Sequence, residues 1–379
     1  MPHARLWITA AIAFCASSAS AQITRAPAPE QPSGIVVETA VAGLSSPWAF
    51  QFLPDGRMLV TEVGGTLRVV DNAGKLSAPI ARVPAVVTAG QGGLLDVAIS
   101  PDYRQTGLIY LTYSEPRGGG RSGTALARAR LVLEGNSGRL DGLSVIFRQK
   151  PDHASPMHYG SRITFARDGS LFVTLGERSS ARNEAQNPAN TFGKVVRLDP
   201  DGSAHASTPR LPGWAREIWS IGHRNPQSAA IHPATGALWI VEHGPRGGDE
   251  INIPEAGKNY GWPIITYGRE YSGGKIGAGS QKAGLEQPVY YWAPSIAPSG
   301  MAFYKGDLFP HWKGNLLVGA LAGAHLSRLV LSGTNVVAEE RLLADVGERI
   351  RDVRQGPDGA IYVATDSSRG RILRIKPRR

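Results

Sequence analysis

The sequence predicts an all-β chain closed as a six-bladed β-propeller. A repeated unit and the composition carry this expectation. The unit is an apolar strand, a turn such as Pro-Asp-Gly, and then an alternating strand. It reads Phe50–Gly56 before Met58–Thr61, Val97–Asp102 before Ile109–Thr112, and Ile163–Gly169 before Leu171–Thr174. It continues with Ala230–Gly236 before Leu238–Val241, Met301–Tyr304 before Leu316–Gly319, and Val353–Gly359 before Ile361–Ala364. Each reads as a hairpin, mostly around a glycine-containing turn. The composition agrees, with 46 Gly and 27 Pro and few amphipathic helical stretches. One such hairpin cannot bury both of its faces, so six of them stack around a channel. Two successive β-sandwiches are the alternative, but no linker interrupts the repeat.

The N-terminus reads as a processed leader. Arg5 precedes an apolar run, Leu6 to Cys15, and then Ala19-Ser20-Ala21. This is the pattern of a Sec-type signal peptide over residues 1–21, cleaved after Ala21, which makes the protein periplasmic or secreted. The run is short for a bilayer span, and no transmembrane segment is expected in the mature chain. Residues 22–34 are rich in Pro, Ala and Gln and read as a disordered lead-in; residues 35–379 form the propeller domain. The one cysteine, Cys15, lies in the leader. The mature chain therefore has no disulfide, no Cys-ligated zinc and no thiol nucleophile. The formal net charge of +10 suits either attraction of anions or a merely basic protein. Nucleic acid is not expected as a partner, because Lys and Arg are scattered and no basic run is interleaved with aromatics.

Loops at one end of a propeller converge on the channel mouth. Gln91, His158, Arg224, Arg349 and Arg351 lie before the repeated inner strands or at their start, while Glu177 and the segment Gly244 to Asp249 lie after the strands that follow. In an antiparallel blade both places fall at the same end, so one pocket is expected from several blades. His158 is a candidate proton acceptor, and the Gly160 nearby would let a ligand approach its backbone. Glu177 ends the same hairpin and would fix the imidazole tautomer. Arg224 offers a fork for carboxylates or quinone oxygens, or else a blade-to-blade ion pair, beside the amide of Asn225. The carbonyls of Gly244 and Pro245, with Asp249 directly or through water, would suit a hard cation such as calcium, although no EF-hand spacing is present. Arg349 and Arg351 share one side of a strand and call for an anion, or else form a solvated edge. Trp48, Trp262 and Trp292 read as core or blade-stacking residues. No Gly-x-Ser-x-Gly, His-Glu-x-x-His or P-loop occurs, and no strand-turn-helix frames a dinucleotide site.

Taken together these segments resemble the soluble pyrroloquinoline quinone (PQQ)-dependent sugar dehydrogenases, the aldose sugar dehydrogenase branch. The markers are Gln91 to Leu95, His158-Tyr159-Gly160-Ser161-Arg162, Gly222-His223-Arg224-Asn225-Pro226-Gln227, Glu242-His243-Gly244-Pro245 with Asp249 to Asn252, and Arg349-Ile350-Arg351-Asp352. The resemblance implies a six-bladed propeller that oxidises the anomeric carbon of aldoses to lactones and passes electrons to an external acceptor. It implies His158 as base with Glu177 behind it, Gln91, Arg224, Asn225, Arg349 and Arg351 on PQQ, and Gly244 and Pro245 on Ca2+ with Asp249 near its waters. Some family members carry a lysine in the loop that here reads Gly319 to His325 without one. A calcium-dependent lactonase or a non-catalytic sugar- or protein-binding propeller are the alternative functions.

Overall fold

The structure, a computed structural model, describes residues 26–378; the expected signal peptide lies outside the described residues. Six antiparallel sheets follow one another along the chain. The first blade has three strands, Pro47–Phe52, Met58–Glu62 and Thr66–Val70. The next four have four strands each and open with Leu94–Ile99, Gly160–Phe165, Pro226–Ile231 and Pro298–Phe303. The sixth opens with Ile350–Gln355 and takes its outermost strand, Ile35–Leu44, from the start of the chain, where it pairs with Gly370–Pro377. The opening strands touch in a ring, first to second and so on round to sixth with first, and therefore line the channel. The six sequence repeats are the inner two strands of the six blades.

Burial explains why the second strands read as unbroken apolar runs. Met58–Glu62, Leu171–Leu175, Leu238–Glu242, Leu316–Ala320 and Ile361–Thr365 are buried at every position, because neighbouring blades cover both faces of each. Inner strands such as Pro47–Phe52 and Pro226–Ile231 are buried where they begin and half-buried where they end, at the opposite mouth.

Every inner strand carries one extra residue near its start. Pro47 and Ala49 face Glu62 and Thr61, leaving Trp48 unpaired. Gln227 and Arg351 are the extra residues of the fourth and sixth blades. The second, third and fifth blades slip by one residue at the same level. A bulge leaves backbone groups without ladder partners and re-aims side chains. Here neighbouring blades supply the partners. Thr174 Oγ1 accepts from Arg162 N and donates to Pro226 O, both at 3.0 Å. Thr61 and Thr112 do the same between the first three blades. Ser228 accepts from Met301 N, Ser299 donates to Ile350 O, and Asp352 accepts from Phe50 N, which closes the ring.

The described part of the lead-in, residues 26–34, forms no helix or strand but lies against the fifth blade. Pro27 O accepts from Glu339 N at 2.8 Å, and Ser33 Oγ donates to Glu340 and accepts from Trp312 Nε1.

Replacing Thr174 with Val keeps the shape and leaves Arg162 N and Pro226 O unpaired. The expected loss is roughly 2–4 kcal/mol, read from the midpoint of denaturant unfolding at constant slope. An unmoved midpoint would show that the hydroxyl does not hold the two blades.

Candidate active site

The ten residues singled out in the sequence all lie at the end where inner strands begin and second strands finish. A cavity of about 460 Å³ opens there, lined by Trp48, Gln91, Tyr159, Gln227, His243, Arg349, Arg351 and Asp366 among others. The remaining candidates stand behind this lining, and all but Pro245 join it through hydrogen bonds.

His158 lies two residues before the inner strand of the third blade and Glu177 two residues after its second strand. Glu177 Oε2 accepts from His158 Nδ1 at 2.6 Å and also from Ser179 N at 2.6 Å. The carboxylate thus fixes the proton on Nδ1 and leaves Nε2, which has no protein partner among the described residues, as the acceptor. Burial holds the imidazole below its ordinary pKa; Glu177 pulls it back up, and Arg224 and Arg178 push it down. His158 has a φ of +54°, an unusual conformation for a residue with a side chain. Gln91 Oε1 accepts from its N–H at 2.8 Å, and its carbonyl lies against Gly176, where a Cβ would stand 2.1 Å from that oxygen. Gly160 lines the cavity, as the sequence suggested, and has a second reason to be glycine. A Cβ there would lie 2.7 Å from Gly176 N and Thr174 O, so glycine lets the bulged strand close on its neighbour.

Arg224 and Asn225 stand behind the lining residues His243 and Gln227. Arg224 Nη1 donates to His243 O at 3.1 Å and to Gly244 O at 2.8 Å, and its guanidinium lies 5.3 Å from the centre of the Trp262 ring. Asn225 Oδ1 accepts from Gly160 N and from Gln227 Nε2. Arg224 Nε and Asn225 Nδ2 are buried donors with no partner among the described residues. His243 donates from Nε2 to Pro298 O at 2.7 Å, and burial, then Arg224, pushes its pKa down to about 3. It presents a neutral ring to the cavity.

Asp249 departs from its expected role as a metal carboxylate. It is fully buried, and its two oxygens accept from Gly244 N, Ile296 N, Ala297 N and Ser295 Oγ at 2.7–2.9 Å. Burial raises its pKa to about 6 against these donors. Its oxygens are filled, so it shapes the Gly244–Asp249 turn and ties it to the fifth blade. Loop spacing in a sequence carries no sign of that.

Arg349 and Arg351 meet an anion of the chain itself. Asp366 Oδ2 accepts from Arg349 Nε at 2.8 Å, and Asp366 Oδ1 lies 3.2 Å from Arg351 Nη2. Arg351 Nη1 also donates to Gln227 Oε1 at 3.3 Å. Two guanidinium groups against one carboxylate leave this wall cationic. Beneath the cavity, buried Arg162 lies 2.9 Å from Asp96 and 3.2 Å from Asp352, while Arg354 pairs with the same two acids. This cluster sits in the channel between the cavity and the opposite mouth. Trp48, read as core, stacks on Arg162 at 4.6 Å and lines the cavity. Sequence reasoning missed Asp366, and it gave His243 and Arg162 no role although both stand inside the quoted markers.

The sequence profile for glucose/sorbosone dehydrogenases matches residues 44–374. The chain belongs to that family. An aldose sugar dehydrogenase of Escherichia coli (strain K12), YliI, is 46% identical over 352 residues, which cover 92% of this chain and 94% of that protein. The crystal structure of the soluble E. coli aldose sugar dehydrogenase in its apo-form has a TM-score of 0.87 to this fold, at 46% identity, covering 91% of this chain and 100% of that one. The PQQ-bound aldose sugar dehydrogenase of Streptomyces coelicolor has a TM-score of 0.76 at 30% identity, covering 91% and 99%. The fold and family expected from the sequence are those found.

The residues present fit an anionic, planar, carbonyl-bearing ligand. Two buried donors lack partners, the Arg349–Arg351 wall has excess positive charge, and the cavity volume falls within the roughly 300–1,000 Å³ of small-molecule sites. Leu321 lines the cavity in the loop where some relatives carry lysine, so cationic contacts fall to the arginines. The fit to a hard cation is partial. No group of three or more His, Asp or Glu suited to a metal occurs among the described residues. Gly244 O already accepts from Arg224, whereas Pro245 O has no such partner.

Asp249→Asn places an amide donor against at least one N–H that the carboxylate satisfied. The protein is expected to lose roughly 2–4 kcal/mol, measured by reversible unfolding. Unchanged stability would return Asp249 to the role of a metal ligand.

Proposed function

We propose that this protein is a periplasmic aldose dehydrogenase that uses PQQ and calcium, oxidises C1 of a pyranose to the lactone and passes electrons to an external acceptor. The observation that carries the reading is the His158–Glu177 pair, with the Nε2 acceptor free, beside a donor-rich cavity. Family membership supports sugar oxidation, and the PQQ-bound relative supports the cofactor class. The leader-like N-terminus supports export.

Bound PQQ would supply the hydride acceptor, and calcium would polarise its carbonyl as a Lewis acid. Arg224, Asn225, Arg349 and Arg351 would hold the cofactor by donating to its oxygens, with Gln91 at the rim. The carbonyls of Pro245 and Gly244 would hold calcium, with Arg224 yielding Gly244 O. His158 Nε2 takes the proton of the anomeric hydroxyl, and Glu177 stabilises the imidazolium as it forms. Burial and two guanidinium groups keep His158 neutral at neutral pH, which is the state a base requires.

The direct test is titration of the full-length apoprotein with calcium and PQQ, followed by dye reduction with aldoses. Quinone-dependent reduction supports the proposal. Opening of lactones without quinone, or neither activity with tight sugar binding, would replace it with a hydrolase or a binding module. His158→Ala is expected to retain PQQ binding and lose turnover by about 10²–10⁴-fold. Wild-type turnover in that variant removes His158 as the base.

The pH profile follows from the sign of the shift. The His158 pKa lies below the ordinary value, so the acid limb of kcat/KM is expected below about pH 6.5. Glu177 raises that pKa, so Glu177→Gln should move the limb to still lower pH while reducing kcat. A limb that moves upward contradicts the assignment.

A further inference from the structure

We propose that Arg178 is the positioning residue of the base: its guanidinium holds the loop around His158 in the conformation that leaves Nε2 without a protein partner beside the cavity. The inference rests on the reading of His158 as proton acceptor. Arg178 follows Glu177 directly and is fully buried. Its Nε donates to Met157 O at 3.0 Å, and its Nη2 donates to Ser155 O. The same fork donates to Ser122 O at 3.2 Å and Ser122 Oγ at 3.3 Å in the second blade, and its plane lies 3.7 Å from the Tyr159 ring centre. It therefore grips residues on both sides of His158 and ties them to the loop that carries Glu177.

Three features mark this as more than packing. A buried cation serving stability alone would be expected to face a carboxylate, yet no ion pair joins Arg178 to an acid among the described residues. The grip converges on a residue at φ +54°, and such conformations persist only where the surroundings over-determine them. Arg178 and Ser179 are themselves at φ +67° and +59°, so the strain lies on both sides of the His158–Glu177 hydrogen bond. A planar fork that also stacks is needed here, and lysine supplies neither property. The charged groups around His158 are Glu177, Arg224 and Arg178, with His243 beside Arg224. Of these, Arg178 and Arg224 favour the neutral imidazole.

Arg178→Met and Arg178→Lys in the full-length protein test the proposal. In the apoprotein, the His158 ring protons are titrated by NMR. After addition of calcium and PQQ, kcat and KM for an aldose are measured. Both variants are expected to lose kcat by roughly 10²-fold, as for a reacting group displaced by about an ångström, with KM within about twofold. The His158 titration should rise in the methionine variant and stay nearer wild type in the lysine variant. A lower melting temperature with wild-type kcat and an unmoved titration overturns the proposal. Should the methionine variant not fold, a folded lysine variant with wild-type kcat overturns it equally. Absence of aldose oxidation by the wild type would sink the dehydrogenase reading alone, because the His158 ring chemical shifts of the apo lysine variant, which keeps the charge, still decide whether Arg178 positions that ring.

Discussion

The structure depends on how six inner strands tolerate a residue too many. A bulge in the middle of a buried ladder strands an N–H and a C=O, and each unpaired group costs enough to threaten a fold of marginal stability. This protein answers at each junction with a side chain from the adjoining blade: Thr61, Thr112, Thr174, Ser228, Ser299 and Asp352. The same hydrogen bonds that satisfy the bulges join the blades. The bulges also turn Trp48, Gln227 and Arg351 toward the cavity. Closure of the ring and the floor of the site therefore share one cause.

Above that floor the polar groups are unevenly satisfied. Both oxygens of Asp249 and of Asp366 accept from the chain, and Glu177 Oε2 accepts twice, whereas Arg224 Nε and Asn225 Nδ2 have nothing to donate to among the described residues. Natural interiors rarely leave donors in that state, so two such donors beside the cavity point to a ligand that carries acceptors. The acids have a different task. They hold loops and tune neighbouring rings.

Much of this was legible in the chain itself. The inner hairpins could be read because each joins two apolar strands through a tight turn, and both signals are local. Convergence of His158, Glu177, Arg224 and Arg351 followed from their places relative to those hairpins. The closing strand Ile35–Leu44 was not legible, since its partner lies at the far end of the sequence. Bulges were hidden because one extra residue in a strand leaves the apolar pattern nearly intact. The bonds of Asp249 were not legible because oxygens filled by Ile296 and Ala297 look the same in sequence as oxygens awaiting a cation. Asp366 was missed because its meaning depends on a neighbour fifteen residues away, Arg351, across a strand pair.

The sixth sheet joins the first strand of the propeller to the last, Ile35 facing Pro377. A ribosome delivers these two segments more than three hundred residues apart. Until the final residues emerge, the ring lacks its clasp, and the chain pays a long loop-closure cost to fasten it. The latch thus sets when the molecule becomes rigid as well as how its two ends meet.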